Sequence, residues 1–497
     1  MANDSPPATA PTPAGARAAT STVASPPAGR LTGTLGVGSI VFMVVAAAAP
    51  LTVVAGSVPL GIALGNGAGY PSLYAGSAVI LLLFAVGFVA MTRHVPNAGA
   101  FYTYVGQGLG RAAGLGTAFL ALLTYTAIQG AVYGYLGFAL NELFTSYGAP
   151  SLPWWPWTAV AIVVVALLGY RHIDLSSKVL GVLLVAEIAV VLVLDAAIVL
   201  RGGDDAEGLS TGTFHLSTVT SGAPGIGLML AMAGFIGFEA TAVFRDEARD
   251  PDRTIPRATY AALVLIGVFY SVSAWAVVSG WGDRGGLAEA AKDPGGMVAA
   301  TTERYVGSVA GHVVQALLVS SLFACVLSFH NVLSRYLFSL GNSAVLPAGC
   351  GRSHPRHRSP HVASVLQTVS AAVLMLVCAS AGLDPVAEVF AWLSGAATAG
   401  ILGLMLLTCV AVLVFFHRSK VDTRIWNTRI APILGLVGLA ACLYLTVANL
   451  PLLVGGSHAL AYVIDALLVL SFVAGPVLAA ARPGANATDP AIQERSL

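Results

Sequence analysis

Twelve apolar runs divide this chain, and they constrain its fold more than any other feature. A helix needs roughly 20 apolar residues to cross the hydrocarbon core of a bilayer. Of the 497 residues, 57% are hydrophobic and 9% are charged, whereas soluble domains carry roughly 25% charged residues. The sequence therefore predicts an all-α integral membrane protein with twelve transmembrane helices. The runs cover approximately residues 35–59, 70–92, 113–145, 154–170, 176–200, 223–244, 258–281, 306–341, 361–382, 386–416, 430–454 and 458–481.

Lysine and arginine residues set the predicted orientation, because they are retained on the cytoplasmic side of a membrane. When both ends of the chain and the loops after even-numbered runs are placed on one side, 20 of the 24 Lys and Arg residues lie there. The other side keeps Arg201, Arg284, Lys292 and Arg304. We therefore expect a multi-pass protein of the cell membrane with both termini in the cytoplasm.

The two ends of the chain differ in composition from the apolar runs. Residues 1–32 are rich in Pro, Ala, Ser and Thr, and residues 483–497 are mostly polar. Such segments cannot bury enough apolar surface to fold, so we expect two disordered cytoplasmic tails around one domain at 33–482. The net charge of +1 gives no basic surface for a nucleic-acid partner.

The sixth run combines an acid with residues that weaken a helix. It begins with Gly225 and Gly227, and its middle contains Ala233, Gly234, Phe235, Ile236, Gly237, Phe238 and Glu239. Ionised groups and unpaired backbone amides are tolerated at membrane depth only where they line a cavity. The segment therefore predicts a site for a substrate and an ion, as in a transporter.

The first run is interrupted by Pro50. Proline has no N–H and its ring clashes with the carbonyl four residues back, so we expect the carbonyls near Ala46 and Ala47 to lose their partners. A simple proline kink is the alternative. Because runs one and six are five apart, two interrupted helices favour an inverted repeat, with halves at about 35–200 and 223–416 and extra helices at about 430–481.

Two carboxyl groups lie well inside apolar runs and are candidates for proton coupling. Glu239 is in the sixth run and Glu187 in the fifth. Contact with a neighbouring helix remains open for Glu239, and a buried structural hydrogen bond remains open for Glu187. Asp195 and Glu142 lie nearer the outer ends of their runs, which favours rim or interface residues.

Other polar side chains are candidates for the wall of the cavity. Tyr125, Gln129 and Tyr133 follow one another at intervals of four on one face of the third helix. This stripe predicts a pocket wall, with ordinary helix packing as the alternative. Further candidates from the eighth and tenth runs are Ser320, Ser321, Ser328, Trp392, Ser394 and Thr398.

Three segments in this order resemble the amino acid, polyamine and organocation transporter superfamily. The first is Val95-Pro96-Asn97-Ala98-Gly99-Ala100-Phe101-Tyr102-Thr103-Tyr104. The second is Gly234-Phe235-Ile236-Gly237-Phe238-Glu239 with Glu247, Pro251, Ile255, Pro256, Arg257 and Ala258. The third comprises Asn331, Arg335, Tyr336, Leu340, Gly341, Leu346, Pro347, His354 and Pro360. The resemblance covers about residues 35–482.

The resemblance implies a five-plus-five inverted repeat with discontinuous helices one and six and two extra helices. It also implies alternating access driven by a proton or sodium gradient or by exchange. The substrate carboxylate is then expected at Ala48, Ala49, Pro50 and Leu51, and the amine at Ala233, Gly234 and Ile236. The wider candidate site adds Ala46, Ala47, Thr52, Phe235, Gly237, Tyr125 and Gln129.

Two positions depart from the pattern of the superfamily. The family's Gly-x-Gly break in helix one reads Ala48-Ala49-Pro50 here. Glu187 stands where proton-coupled relatives often place a lysine, so the lysine mechanism does not transfer. The charged stretch that follows Glu239 implies an inner gate, for which we predict an ion pair between Glu247 and Arg335.

The leading hypothesis is a secondary active transporter for an amino acid or a related amine, coupled to protons, with sodium as the alternative ion. A polyamine or cationic amino acid exchanger is the second candidate. From another class, an amino acid sensor that does not transport is a third. No nucleophile–base pair or metal-ligand cluster is seen in the sequence, so we expect neither an enzyme nor a bound cofactor.

Overall fold

The computed structural model describes residues 35–95, 101–171, 177–343, 345–354 and 359–481. The expected tails at 1–32 and 483–497 lie outside these residues, as do positions 96–100 of the first resembling segment. Within the described ranges the chain is helical, and pairing of extended backbone is limited to isolated bridges at Leu35 with Ala248 and at Asp204 with Gly208.

Helices follow one another along the described chain. They are α1 (Val37–Ala47), α2 (Pro50–Thr52), α3 (Val58–Leu60), α4 (Tyr70–Thr92), α5 (Phe101–Leu109), α6 (Arg111–Ser146), α7 (Trp154–Arg171), α8 (Ser177–Leu200), α9 (Leu216–Val219), α10 (Pro224–Ala233), α11 (Ala240–Val243), α12 (Pro251–Trp281), α13 (Asp283–Lys292), α14 (Met297–Tyr305), α15 (Ser308–Asn342), α16 (His361–Ser380), α17 (Ala391–Ser419), α18 (Ala431–Leu453) and α19 (His458–Ala481). Wider π-helical turns occupy Val53–Ser57, Gly61–Asn66, Pro385–Phe390 and Trp426–Ile430, and 3-10 turns occupy Gly67–Gly69, Gly212–Phe214 and Phe244–Glu247.

Ten helical stretches in the described chain are long and apolar enough to cross a membrane, as expected for an integral membrane protein. The first, Val37–Thr92, is 56 residues long and takes in the first two predicted runs. Its backbone leaves helical geometry at Gly65 (φ −96°, ψ −114°) and Gly67 (φ +56°). The sixth predicted run is divided between the short apolar helix α10, which ends at Ala233, and the four-residue helix α11.

The helices differ in how deeply they are buried. Helix α6 packs against α5, α7, α15, α17 and α19, and 78% of its most apolar window is buried, against 6% for α19. Helix α6 therefore lies at the centre of the bundle, and α19 lies at its periphery.

The start of α1 is joined to the segment that follows α11 by two backbone hydrogen bonds. The N–H of Leu35 donates to the carbonyl of Glu247 at 2.9 Å, and the N–H of Arg249 donates to the carbonyl of Leu35 at 3.0 Å. We call this pairing the backbone clip. The clip connects the two interrupted helices at the ends that lie away from their breaks.

On the opposite side, the connection after α8 is held against the ends of α12 and α14. Arg304 forms an ion pair with Asp204 at 3.1 Å, and the hydroxyl of Tyr305 contacts the carbonyls of Gly203 and Gly280. The N–H of Ala206, together with the Arg304 guanidinium, holds the pKa of the Asp204 carboxyl below its ordinary value. The loop is therefore fixed by charge as well as by backbone contacts.

Candidate functional site

The first helix is broken directly before Pro50. Helix α1 ends at Ala47, Ala49 adopts left-handed geometry (φ +47°, ψ 70°), and the helix begins again at Pro50. Left-handed geometry costs an L-residue roughly 1–2 kcal/mol, so the break is a strained feature of the backbone. The prediction that the carbonyl of Ala46 loses its hydrogen-bond partner was wrong, since this carbonyl accepts the N–H of Ala49 at 3.2 Å. Helix ends commonly close with such a tightened turn.

The sixth helix is broken over Gly234–Glu239, between the end of α10 and the start of α11. Gly237 has φ +111°, a conformation that side chains other than glycine rarely adopt. The carbonyl of Ala233 accepts the N–H of Ile236 at 3.1 Å. The segment thus replaces the regular helical ladder with tight turns.

The two breaks contact each other. A Cβ built on Gly237 would lie 3.6 Å from the Cβ of Ala47, and one built on Gly234 would lie 3.0 Å from a methyl carbon of Val53. Interrupted backbone from two distant parts of the sequence therefore meets at one place inside the bundle.

A small cavity of about 40 Å³ lies at this meeting point. One water molecule needs about 10–15 Å³ of such volume, so the cavity holds only a few waters in this conformation. Its lining includes six predicted residues: Ala47, Ala48, Ala49, Thr52, Ala233 and Ile236. Ser394, expected from the tenth run, also lines it. The sequence analysis missed Val53, Ser57, Ile128, Val132, Cys325, Phe329 and Phe390.

The remaining predicted positions lie around the cavity rather than in its wall. Ala46, Pro50, Leu51, Gly234, Phe235 and Gly237 belong to the two breaks but are not in its lining. The apolar lining residues that were missed come from the π-helical turn after α2, from helices α6 and α15 and from the turn before α17. Their types are common in every membrane helix, so no sequence signal separates them from packing residues.

Glu239 is held at the inner edge of the sixth-helix break by two hydrogen bonds. The hydroxyl of Tyr125 donates to its Oε1 at 2.7 Å, and the N–H of Gly237 donates to its Oε2 at 2.9 Å. The centroid of the Tyr125 ring lies 6.1 Å from that of Phe329 and 5.9 Å from that of Tyr336. Two candidates that the sequence proposed separately, Glu239 and Tyr125, are thus in direct contact.

Glu187 is connected to the other side of the first-helix break. Its Oε2 accepts the hydroxyl of Ser321 at 2.9 Å, and Ser321 accepts the hydroxyl of Thr52 at 3.1 Å. Glu187 is 5% exposed. The carboxyl group of α8 is therefore linked through α15 to the restarted first helix.

Three hydrogen bonds involve Tyr270, which the sequence analysis missed, and Gln129, which it placed in the pocket wall. The hydroxyl of Tyr270 donates to the carbonyl of Ala48 at 3.2 Å, so α12 satisfies a backbone group freed by the break. Gln129 donates to the carbonyl of Val326 at 3.2 Å and accepts the amide of Gln367 at 2.5 Å. Gln129 is bonded on both sides in this structure, as in the helix-packing alternative.

The expected inner-gate ion pair is not formed. Among the described residues, the ion pairs within 4.0 Å do not include Glu247 with Arg335. Arg335 is exposed, and the carbonyl of Glu247 is used in the backbone clip. Two ion pairs of this stretch are Arg245 with Asp252 and Arg253 with Asp250, each at 3.8 Å. A gate role for Glu247 and Arg335 stays a prediction.

Comparisons with known proteins show what this chain is similar to. A family model described as amino acid permease matches residues 39–485. The chain is 23% identical over 310 residues to the low-affinity putrescine importer PlaP of Escherichia coli K12, covering 60% of this chain and 64% of that protein. It is 24% identical over 313 residues to the branched-chain amino acid permease BcaP of Lactococcus lactis, covering 59% and 64%. Both matches span less than two thirds of the relative's own length. An uncharacterized transporter of Mycobacterium bovis is 28% identical over 431 residues, 84% of each chain.

Proposed function

Because the chain belongs to the amino acid permease family, we propose that it is a secondary active transporter that moves an amino acid or a related amine across the cell membrane. The observation that carries this proposal is the meeting of two broken helices at one buried cavity. Irregular backbone at membrane depth is tolerated where it lines a substrate pathway.

The proposed topology has twelve crossings with both termini in the cytoplasm. The 56-residue stretch Val37–Thr92 is long enough for two crossings of roughly 20 residues each. The interrupted sixth helix, α10 with α11, supplies a crossing that neither part could make alone. We propose that these helices form the five-plus-five inverted repeat, with α18 and α19 added outside it.

The chemistry of the breaks suits a zwitterion. The positive end of the restarted first helix favours a carboxylate, and the negative end of α10 favours an amine. In this conformation the N–H of Leu51 is bonded to Glu187, and the carbonyls of Ala231, Met232 and Ala233 accept N–H groups of the next turn. The cavity of about 40 Å³ holds only a few waters, so substrate entry requires the helices around it to separate. This requirement is consistent with alternating access.

We propose that Glu239 and Glu187 couple transport to protons. Each carboxyl group is hydrogen-bonded to a segment next to a break, Glu239 through Gly237 and Glu187 through Ser321. Gain or loss of a proton at either group therefore changes the contacts that hold the broken helices in place. Ion pairing within 4.0 Å is recorded for neither group among the described residues.

A polyamine or cationic amino acid exchanger is the second candidate. It is favoured by the carboxylate of Glu239 beside aromatic rings, an arrangement that attracts ammonium groups, and by the similarity to a putrescine importer. An amino acid sensor, the candidate from another class, would bind substrate without moving it.

Uptake into proteoliposomes separates these candidates. Purified protein is reconstituted, and initial rates are measured for radiolabelled amino acids and putrescine, with and without an inward proton gradient. We expect uptake of a neutral amino acid that the gradient accelerates, loss of this acceleration in Glu239→Gln, and no change in Glu303→Gln, an exposed acid. Binding of a substrate without uptake or exchange would identify a sensor and overturn the proposal.

A further inference from the structure

A second buried acid lies on α8, and the function proposed above does not use it. The Asp195 side chain is 6% exposed, and its Oδ2 accepts the hydroxyl of Ser273 on α12 at 2.7 Å. Its Oδ1 is buried without a hydrogen-bond partner. Of the two alternatives, rim or interface residue, Asp195 is at an interface, since its carboxyl group lies in the seam between α8 and α12.

The position of Asp195 is costly for a permanent charge. An ionised carboxylate in an apolar interior loses its hydration, and one hydrogen bond does not replace it. None of the ion pairs of the described residues involves Asp195. A group in this setting suits gain and loss of a proton better than a fixed negative charge.

Asp195 and Glu187 occupy the same helix at two depths. Eight residues of α-helix separate them by about 12 Å along the axis and by about 80° around it. Residues three apart share a face of a helix, so on α12 Ser273 lies one turn from Tyr270, whose hydroxyl contacts the carbonyl of Ala48. Asp195, Ser273 and Tyr270 thus form a series of polar groups along the seam that leads to the first-helix break.

The charged and titratable groups around α8 leave Asp195 without a counter-ion. The elements packed against α8 are α1, α2, α12, α14 and α15, and neither α1 nor α2 contains a titratable side chain. Helix α15 offers Cys325 near Glu187, and α12 offers Tyr270. Helix α14 offers Arg304, which is engaged by Asp204. It also offers Tyr305, bound to backbone carbonyls, and the exposed Glu303.

We infer that Asp195, positioned by Ser273, is a proton relay that loads Glu187 from the outer side of the membrane. In the step, an O–H bond forms at Oδ1 of Asp195 as one breaks in a hydronium ion of the outer solution, which leaves a neutral water molecule. The same proton then leaves Asp195 for water that enters the seam beside Tyr270, and it ends as the O–H of Glu187. One proton moves, and no other bond changes. The inference rests on the proposed proton coupling.

The test compares Asp195→Asn with Asp465→Asn, a matched change at another acid within a membrane-spanning helix. Helix α19, which carries Asp465, lies at the periphery of the bundle. Two rates are measured in proteoliposomes with the amino acid that the native protein takes up: net uptake driven by a pH gradient, and counterflow at equal pH, which needs no net proton movement. We expect Asp195→Asn to lower net uptake at least about tenfold and to leave counterflow unchanged, whereas Asp465→Asn changes neither.

Two results would overturn the relay. One is gradient-driven uptake by Asp195→Asn at the native rate, and the other is an equal loss of uptake and counterflow, which indicates a structural role. If Asp195→Asn does not fold, Ser273→Ala keeps the carboxyl group and removes its partner. We then expect a shifted pH for half-maximal uptake, and an unchanged pH profile would refute the relay. Native protein that neither takes up nor exchanges any substrate would instead refute the proposed function itself.

Discussion

Replacing Gly237 with alanine tests whether the sixth-helix break depends on glycine. Gly237 has φ +111°, and the Cβ of an alanine there would meet its nearest neighbour, the Cβ of Ala47, at 3.6 Å. This is an ordinary van der Waals distance, so the substitution adds no clash. Its whole effect should come from the backbone conformation.

The expected magnitude follows from that conformation. A residue held in a sparsely populated region of the backbone map costs about 1–3 kcal/mol. Since every 1.4 kcal/mol is a factor of ten, a cost of about 2 kcal/mol lowers the population of the native break about 30-fold. The N–H of Gly237 also donates to Glu239, so relaxation of the turn should weaken the hold on that carboxyl group as well.

Thermal unfolding of the purified protein in detergent measures this cost. The matched control is Gly76→Ala in the middle of α4, where φ is not positive and a new Cβ meets nothing within 4 Å. We expect Gly76→Ala to be neutral or to stabilise by about 0.5–1 kcal/mol, and Gly237→Ala to unfold at a clearly lower temperature at the same scan rate. Equal unfolding temperatures for the two variants would refute the strained turn.

Three further outcomes are expected. Tyr270→Phe leaves the carbonyl of Ala48 without its partner and should cost about 1 kcal/mol, seen as a lower unfolding temperature; unchanged stability would count against the contact. Tyr125→Phe removes the hydroxyl that binds Glu239, and a lost hydrogen bond to a charged group, about 1.5–3 kcal/mol, should slow gradient-driven uptake by about tenfold or more; native rates would argue against a role for this pair. Because the pKa of Asp204 is lowered in the folded protein, its contribution is present above the ordinary Asp pKa of about 3.9 and is lost as pH falls through the lowered value. The opening of the loop after α8, measured by hydrogen exchange corrected for the intrinsic effect of pH, should then stay constant from pH 7 to about pH 5 and increase only below about pH 4. Opening near pH 6 would contradict this.

The breaks were predictable because their causes are local. Pro50 cannot donate to a helix, so the interruption falls at Ala48 and Ala49, directly before it. The glycines of the sixth run permit the tight turns seen from Gly234 to Glu239. In both cases the residue types mark the place of the break, and distant contacts such as that of Tyr270 with the carbonyl of Ala48 support it.

Side-chain partners were less predictable, because they depend on how helices rotate against one another. Tyr125 and Gln129 lie on one face of α6, yet Tyr125 binds Glu239 while Gln129 binds Gln367. Tyr270 contacts a backbone carbonyl 222 positions away in sequence. Spacing within a helix identifies a common face, but it does not say which neighbouring helix that face meets.

The sequence left open whether Asp195 lies at the rim of the bundle or at an interface between helices. Asp195 lies five residues before the end of α8, but α12 and α14 extend alongside it and bury it. Burial therefore depends on the lengths of the neighbouring helices, which a single run of the sequence does not reveal.

The backbone clip at Leu35 ties the part of the first interrupted helix before Ala49 to the part of the sixth after Gly237. These two arms therefore move together, one about Ala49 and the other about Gly237. Movement of either arm therefore moves the other unless both hydrogen bonds break. Since the bonds join main-chain atoms, they survive nearly any replacement of the side chains. Proline at both Leu35 and Arg249, which removes both donors, is the change that uncouples the arms.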